Sequence, residues 1–159
     1  MRMLRLRGFL KCERGTQMIE FAFLLPVLVL LFAGTIEMGR MFSTYTTLQK
    51  STEVGARYLS AILVQSDGTY LSTDTTSAKN LIVCGKASDC TGQTPIAKNL
   101  TASNVTITSP GTGIGTRYVT VNVTYAYQPL VFDLGGMTGS SQLSLNFTFT
   151  PSITMRYMP

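Results

Sequence analysis

Sixteen consecutive uncharged residues, 21–36 (FAFLLPVLVLLFAGTI), constrain this chain more than any other feature. As an α-helix they rise about 24 Å, a little short of the roughly 30 Å hydrocarbon layer of a bilayer. Met18, Ile19 and Met38 nearly make up the difference, so a membrane span over about residues 18–38 is expected. Glu20 and Glu37 then fall near its two edges. A secretory signal has a similar basic-then-apolar layout, with Ala33-Gly34-Thr35 as a cutting point, and stands as an alternative. A buried core helix fits poorly, because the rest of a 159-residue chain is too small to surround it.

Charge sets the expected direction of crossing. The formal charge of +5 is concentrated at one end: residues 1–15 carry Arg2, Arg5, Arg7, Lys11 and Arg14 against Glu13 alone. The rest is close to neutral, so no basic, aromatic-interleaved surface is available to hold phosphates, and nucleic-acid binding is excluded. Five cations before the span, against Arg40 and Lys50 soon after it, place the N-terminus in the cytoplasm and the C-terminal bulk outside. Cys84 and Cys90 lie on that outer side, where a pair so close in sequence is expected to bridge. Metal binding is the rival reading, but two cysteines in a chain without histidine supply too few ligands for structural zinc.

The helix is expected to continue beyond the membrane. Phe42, Tyr45, Leu48, Thr52, Gly55, Leu59 and Ile62 recur in steps of three and four, one stripe of an amphipathic helix. No breaker intervenes before Ser66-Asp67-Gly68, so the spacing predicts a helix over residues 16–63, with Pro26 kinking or loosening its first half. A short helix over residues 72–83 follows, with Asp74 as a candidate cap. Three β-like stretches come after it: residues 105–108, residues 118–125 with Val119, Val121, Val123 and Tyr125 on one face, and residues 143–150 continuing to 157. A glycine-rich hairpin at 111–115 and turns at 135–136 and 139–141 connect them. The expected fold class is α+β: a long N-terminal α-helix, half membrane and half amphipathic, packed on a small antiparallel β-sheet. Three parts are expected: a basic leader (1–15), the long helix (16–63) and an external head (64–159) with the cysteine loop 84–90.

Little in this chain is suited to catalysis. Without histidine the usual Ser/His and Cys/His nucleophiles are closed, as are most metal sites. Asp67, Asp74 and Asp89 sit in turn or cap contexts, Asp133 stands alone before Leu134-Gly135-Gly136, and no carboxylate pair is spaced for acid–base work. The glycines at 111–115 lack the lysine and following helix of a phosphate loop. No enzymatic activity, metal or cofactor is expected.

Glu20 is the exception to this bland inventory. A carboxylate at the edge of hydrocarbon costs a few kcal/mol, about 3 by insertion scales, unless its head snorkels to the interface. A cut after Gly15 would make Thr16 a free amine and remove nearly all the excess positive charge. Glu20 would then be the fifth residue of the new chain, and its carboxylate could neutralise the amine of a neighbouring subunit and set the axial register between them. Glu37, at the outer edge, is placed to pair with Arg40 one turn on, a mainly structural contact.

A basic leader ending in glycine, a glutamate five residues later and an apolar helix resemble a type IV prepilin signal. The resemblance is closer to the TadE-like branch, the pseudopilins of tight-adherence pili. Its residues here are Glu20-Phe21, Pro26, Glu37-Met38-Gly39-Arg40, Gly55-Ala56-Arg57-Tyr58 and the closing Met155-Arg156-Tyr157. The resemblance implies cleavage between Gly15 and Thr16 by a membrane prepilin peptidase, with Glu20 and Phe21 serving processing or subunit packing. It implies an inner-membrane protein with a single pass, partnered by other pilins and the pilus assembly platform, and an accessory rather than a bulk role. Thr16 departs from the methylatable aromatic common at this position in ordinary type IV pilins. A type II secretion pseudopilin and an uncleaved, membrane-tethered binding module remain the alternatives.

Overall fold

The computed structural model describes residues 13–62, 68–109, 118–130 and 146–157. The basic residues 2–11, Cys12, Leu63, Ser66-Asp67, the glycine-rich segment 111–115, Asp133, the turns at 135–136 and 139–141 and residues 143–145 lie outside them.

Helix α1 (Glu13–Ser60) is 48 residues long, about 72 Å of unbroken helix that continues through Pro26. Its inner half has the surface of a membrane span: the most apolar 18-residue stretch has a mean hydropathy of 2.3 and none of it is buried. Thr35 sends its hydroxyl back to the Leu31 carbonyl at 2.9 Å, so this polar side chain is satisfied within its own helix. The outer half buries one face, from Glu37 through Met41, Leu48, Ser51 and Thr52 to Gly55, Ala56, Leu59 and Ser60. The chain leaves the helix through two tightened bonds, Ala61 N–H to Tyr58 O and Ile62 N–H to Leu59 O, each 3.3 Å.

The expected stripe is correct from Leu48 onward; before it, Tyr45 still meets the head through Phe149, but Phe42 lies off the covered face. Phe42 is 59% exposed, and the buried line at that level runs instead through Glu37 and Met41. Small residues make up much of the buried face because α2 (Ser72–Cys84) crosses close by. A Cβ built on Gly55 would stand 2.5 Å from Ile82 Cδ1 and nearer still to its Cγ1. Asp74 does not cap α2: it lies inside the first turn, and Leu71 holds the cap position without a side-chain bond. Gly85 ends α2 in the left-handed region (φ 74°), its N–H bonded to Leu81 O at 3.0 Å.

Strands β1 (Val105–Thr108), β2 (Tyr118–Val123) and β5 (Ser152–Arg156) form an antiparallel sheet in the order β1-β2-β5. Two short strands, β3 (Tyr125–Ala126) and β4 (Thr148–Phe149), pair beside it. Val119, Val121, Val123 and Tyr125 are all buried, as their alternation predicts, and face α1. Both long strand expectations hold in register: Thr124 N–H donates to Asn104 O at 2.8 Å and Val123 N–H to Pro151 O at 3.0 Å, each extending the sheet's pairing, and β3 and β4 keep the β2–β5 register with Tyr125 opposite Phe149. Among the described residues the ladder is interrupted only around Thr124 and Pro151, where proline has no N–H to give. The core lies between the outer half of α1, α2 and the apolar face of the sheet, around Leu48, Leu59, Ile82, Leu100 and the β2 valines. This is an α+β architecture with one long helix and a small antiparallel sheet.

Candidate functional site at the membrane edge

The sequence-predicted residues fall into three groups that the fold does not bring together. The first is the inner end of α1. Gly15, Thr16, Glu20 and Phe21 all lie in the helix and are exposed, Phe21 at 57%. A Cβ at Gly15 would meet nothing within 4 Å, so no packing within the described residues demands glycine there. Among the described residues, neither of the two ion pairs involves Glu20.

The second group is the disulfide. Cys84 and Cys90 are bonded, with their Cα atoms 6.0 Å apart, and they tie the end of α2 to the loop that follows it. Asp89 in that loop accepts from the Thr91 N–H at 3.2 Å and from the Thr91 hydroxyl, which hold its carboxyl below the ordinary value. It serves as a turn residue, as its context predicts. Among the described residues no group of three His, Cys, Asp or Glu could hold a metal ion.

The third group is the most developed. Glu37 and Arg40 do meet, at 3.6 Å, but Glu37 is only 2% exposed while Arg40 is 42% exposed. An arginine that open does not by itself account for burying a carboxylate. The additional partners come from the head: the Tyr127 hydroxyl and the Leu130 N–H (3.2 Å) both donate to Glu37 Oε1. The segment after β3 thus folds down onto α1 at the outer edge of the apolar run. Phe149 of β4 completes the clamp, with its ring 5.5 Å from Tyr45 of α1 in an edge-on contact and 5.7 Å from Tyr127. Burial pushes the Tyr127 phenol up to about 12, and the adjacent Glu37 carboxylate adds to this by accepting a hydrogen bond from the neutral phenol and repelling its anion; Arg40 opposes both. Burial likewise raises Tyr125, again against Arg40.

Tyr127 and Leu130 were not among the candidate residues read from the sequence. The available signal was indirect: a carboxylate at 37, inside a mostly apolar helix, requires donors, and Tyr125 and Tyr127 end the strongest strand on its buried face. Nothing local points from residue 37 to residues 127 and 130.

Comparison with known proteins agrees with this division of the chain. Residues 15–57 match the family model of the TadE-like protein. No curated protein and no solved structure matches the chain. The match covers both the lipid-suited half of α1 and most of the half that carries the head, and a TadE-like family points to a pilus-associated protein. From Gly15 to Arg57, the helix on which this chain is built is similar to the TadE-like family.

Proposed function

We propose that this chain is a pseudopilin or minor pilin that takes part in assembling a tight-adherence pilus, with a structural rather than an enzymatic role. The observation that carries the reading is the coincidence of the TadE-like match with α1, beginning at Gly15. The inner half of that helix exposes Phe23 at 78%, Phe32 at 67% and Leu31 at 60%, a surface that needs lipid or neighbouring helices to cover it. In this reading the helix crosses the bacterial inner membrane once, with the basic leader cytoplasmic and the disulfide-bearing head outside. A prepilin peptidase cuts between Gly15 and Thr16. The amine so made and the Glu20 carboxylate of an adjacent subunit pair when helices bundle, and other pilins and the assembly platform are the partners. Gly15 in open space suits this reading, because glycine costs roughly 1 kcal/mol relative to alanine inside a helix and no contact among the described residues accounts for it.

The test is the mass of the mature N-terminus in cells carrying the cognate peptidase. A start at Thr16 is expected, and Gly15→Leu should retain the leader because a bulky residue obstructs access to the bond. Wild-type protein that keeps its leader, or normal maturation of Gly15→Leu, overturns the proposal.

A further inference from the structure

A cavity of about 190 Å³ opens between α1 and the segment that follows β3. Its polar walls are Arg40, Thr44, Lys98, Asn99 and Gln128, together with Tyr125, and among the described residues that line it none is acidic. Thr44 donates its hydroxyl to Arg40 O at 2.9 Å, so the donors left are two cations and two amides, which around a space too small for a drug-sized ligand suit a single anionic group. The Lys98 turn is held in place: Tyr125 Oη donates to Lys98 O at 2.9 Å, and Leu100 N–H bonds Ala97 O at 3.1 Å. Arg40 lies 3.6 Å from Glu37, is 42% exposed and lines the cavity.

Position identifies the anion. Arg40 stands two residues beyond Met38, the outer end of the expected span, and four beyond Ile36, hence about 3–6 Å further along the axis. The headgroup layer on each side of the hydrocarbon is roughly 5–8 Å thick, so this part of α1 falls within it. Ile96 and Leu130, 36% and 67% exposed, line the same opening, and Phe147, 47% exposed, is bonded beside it through Tyr127 N–H to Phe147 O at 2.7 Å. An apolar rim of this kind fits the glycerol and upper acyl part of a lipid and gives nothing to a free ion.

We propose that this cavity holds the phosphate of an anionic phospholipid from the outer leaflet of the membrane that α1 crosses, with Arg40 and Lys98 as its cations. The proposal rests on the membrane-anchor reading of α1. It makes the membrane-facing end of the head a lipid-bound surface while the subunit waits in the bilayer.

The full chain in neutral detergent is titrated with phosphatidylglycerol, phosphatidylcholine or soluble glycerol phosphate, and bound ligand is counted by native mass spectrometry. Phosphatidylglycerol should be retained best. Lys98→Gln and Arg40→Gln should each weaken it about fivefold, the equivalent of about 1 kcal/mol per cation near an anionic surface. Lys86→Gln, in the exposed cysteine loop away from the cavity, should leave it unchanged. Equal retention by wild type and both cavity variants overturns the proposal, as does glycerol phosphate binding as well as the lipid. Carbonate extraction from phosphatidylglycerol vesicles separates the two levels: an integrated chain without lipid preference sinks this site alone, and an extractable chain sinks the anchor reading with it.

Discussion

Removing the Glu37 carboxylate should loosen the head from the helix more than any other single side-chain change at the membrane edge. Glu37→Ala leaves the Tyr127 hydroxyl and the Leu130 N–H without their common acceptor in a site only 2% exposed. Stranding a buried donor costs about 1–3 kcal/mol, and breaking a buried charged arrangement about 3–5 kcal/mol in all. Tyr127→Phe removes one hydrogen bond to a charged group, about 1.5–3 kcal/mol. Arg40→Gln should cost less than about 1 kcal/mol, because its contact is 3.6 Å long and its side chain is 42% exposed. The assay is thermal unfolding of the full chain in detergent, followed by near-ultraviolet circular dichroism of the tyrosines, since the chain has no tryptophan. For a domain of about this size each kcal/mol moves the midpoint by roughly 4–8 °C. A Glu37→Gln/Tyr127→Phe double-mutant cycle then isolates their coupling. Additivity of the two changes within about 0.5 kcal/mol would refute a shared network. So would an Arg40→Gln loss as large as that of Glu37→Ala, which would make the arginine the true partner.

Gly55→Ala gains up to about 1 kcal/mol of helix propensity but drives a methyl into Ile82, so a net loss of roughly 1–2 kcal/mol is expected by the same assay. Gly55→Ala/Ile82→Val should recover part of it, and a stabilised Gly55→Ala would show that the two helices part freely. Raising pH should weaken the fold between about 10 and about 12. Tyr70 and Tyr127 both have folded-state values raised to about 12, so the stability they confer is complete below the ordinary value of 10 and is lost as pH climbs through 12. Tyr70→Phe and Tyr127→Phe should each make the alkaline loss less steep, and an alkaline unfolding profile unchanged in both variants would contradict this. Glu20→Ala should insert into membranes normally yet enter assembled fibres poorly, and unchanged incorporation in a pull-down of sheared fibres would remove the charge-pairing argument.

Much of this architecture was legible from local pattern alone. An uncharged run followed by apolar steps of three and four can hardly be anything but one long helix, and strict alternation at Val119, Val121, Val123 and Tyr125 fixes which face of the sheet is buried. The features that escaped are those set by groups distant in sequence. Which strands pair is one such feature: Val123 N–H finds Pro151 O and Thr124 N–H finds Asn104 O across connections that no local pattern measures. Phe42 is exposed although it is the largest apolar residue at its level, because the head covers the neighbouring face through Glu37 and Met41. The Glu37 partnership spans ninety residues to Tyr127, and an acid beside an arginine one turn on gave a sufficient local explanation that concealed it.

Because α1 runs without interruption from the lipid-suited half into the folded half, the described chain offers no swivel at the bilayer surface. Thrust or torque applied to the buried end reaches the head as through a stiff shaft, and tilting the shaft tilts the cargo by the same angle. If the chain acts as the pseudopilin proposed above, it would be extracted and reoriented whole, and slack in its delivery would have to come from its neighbours.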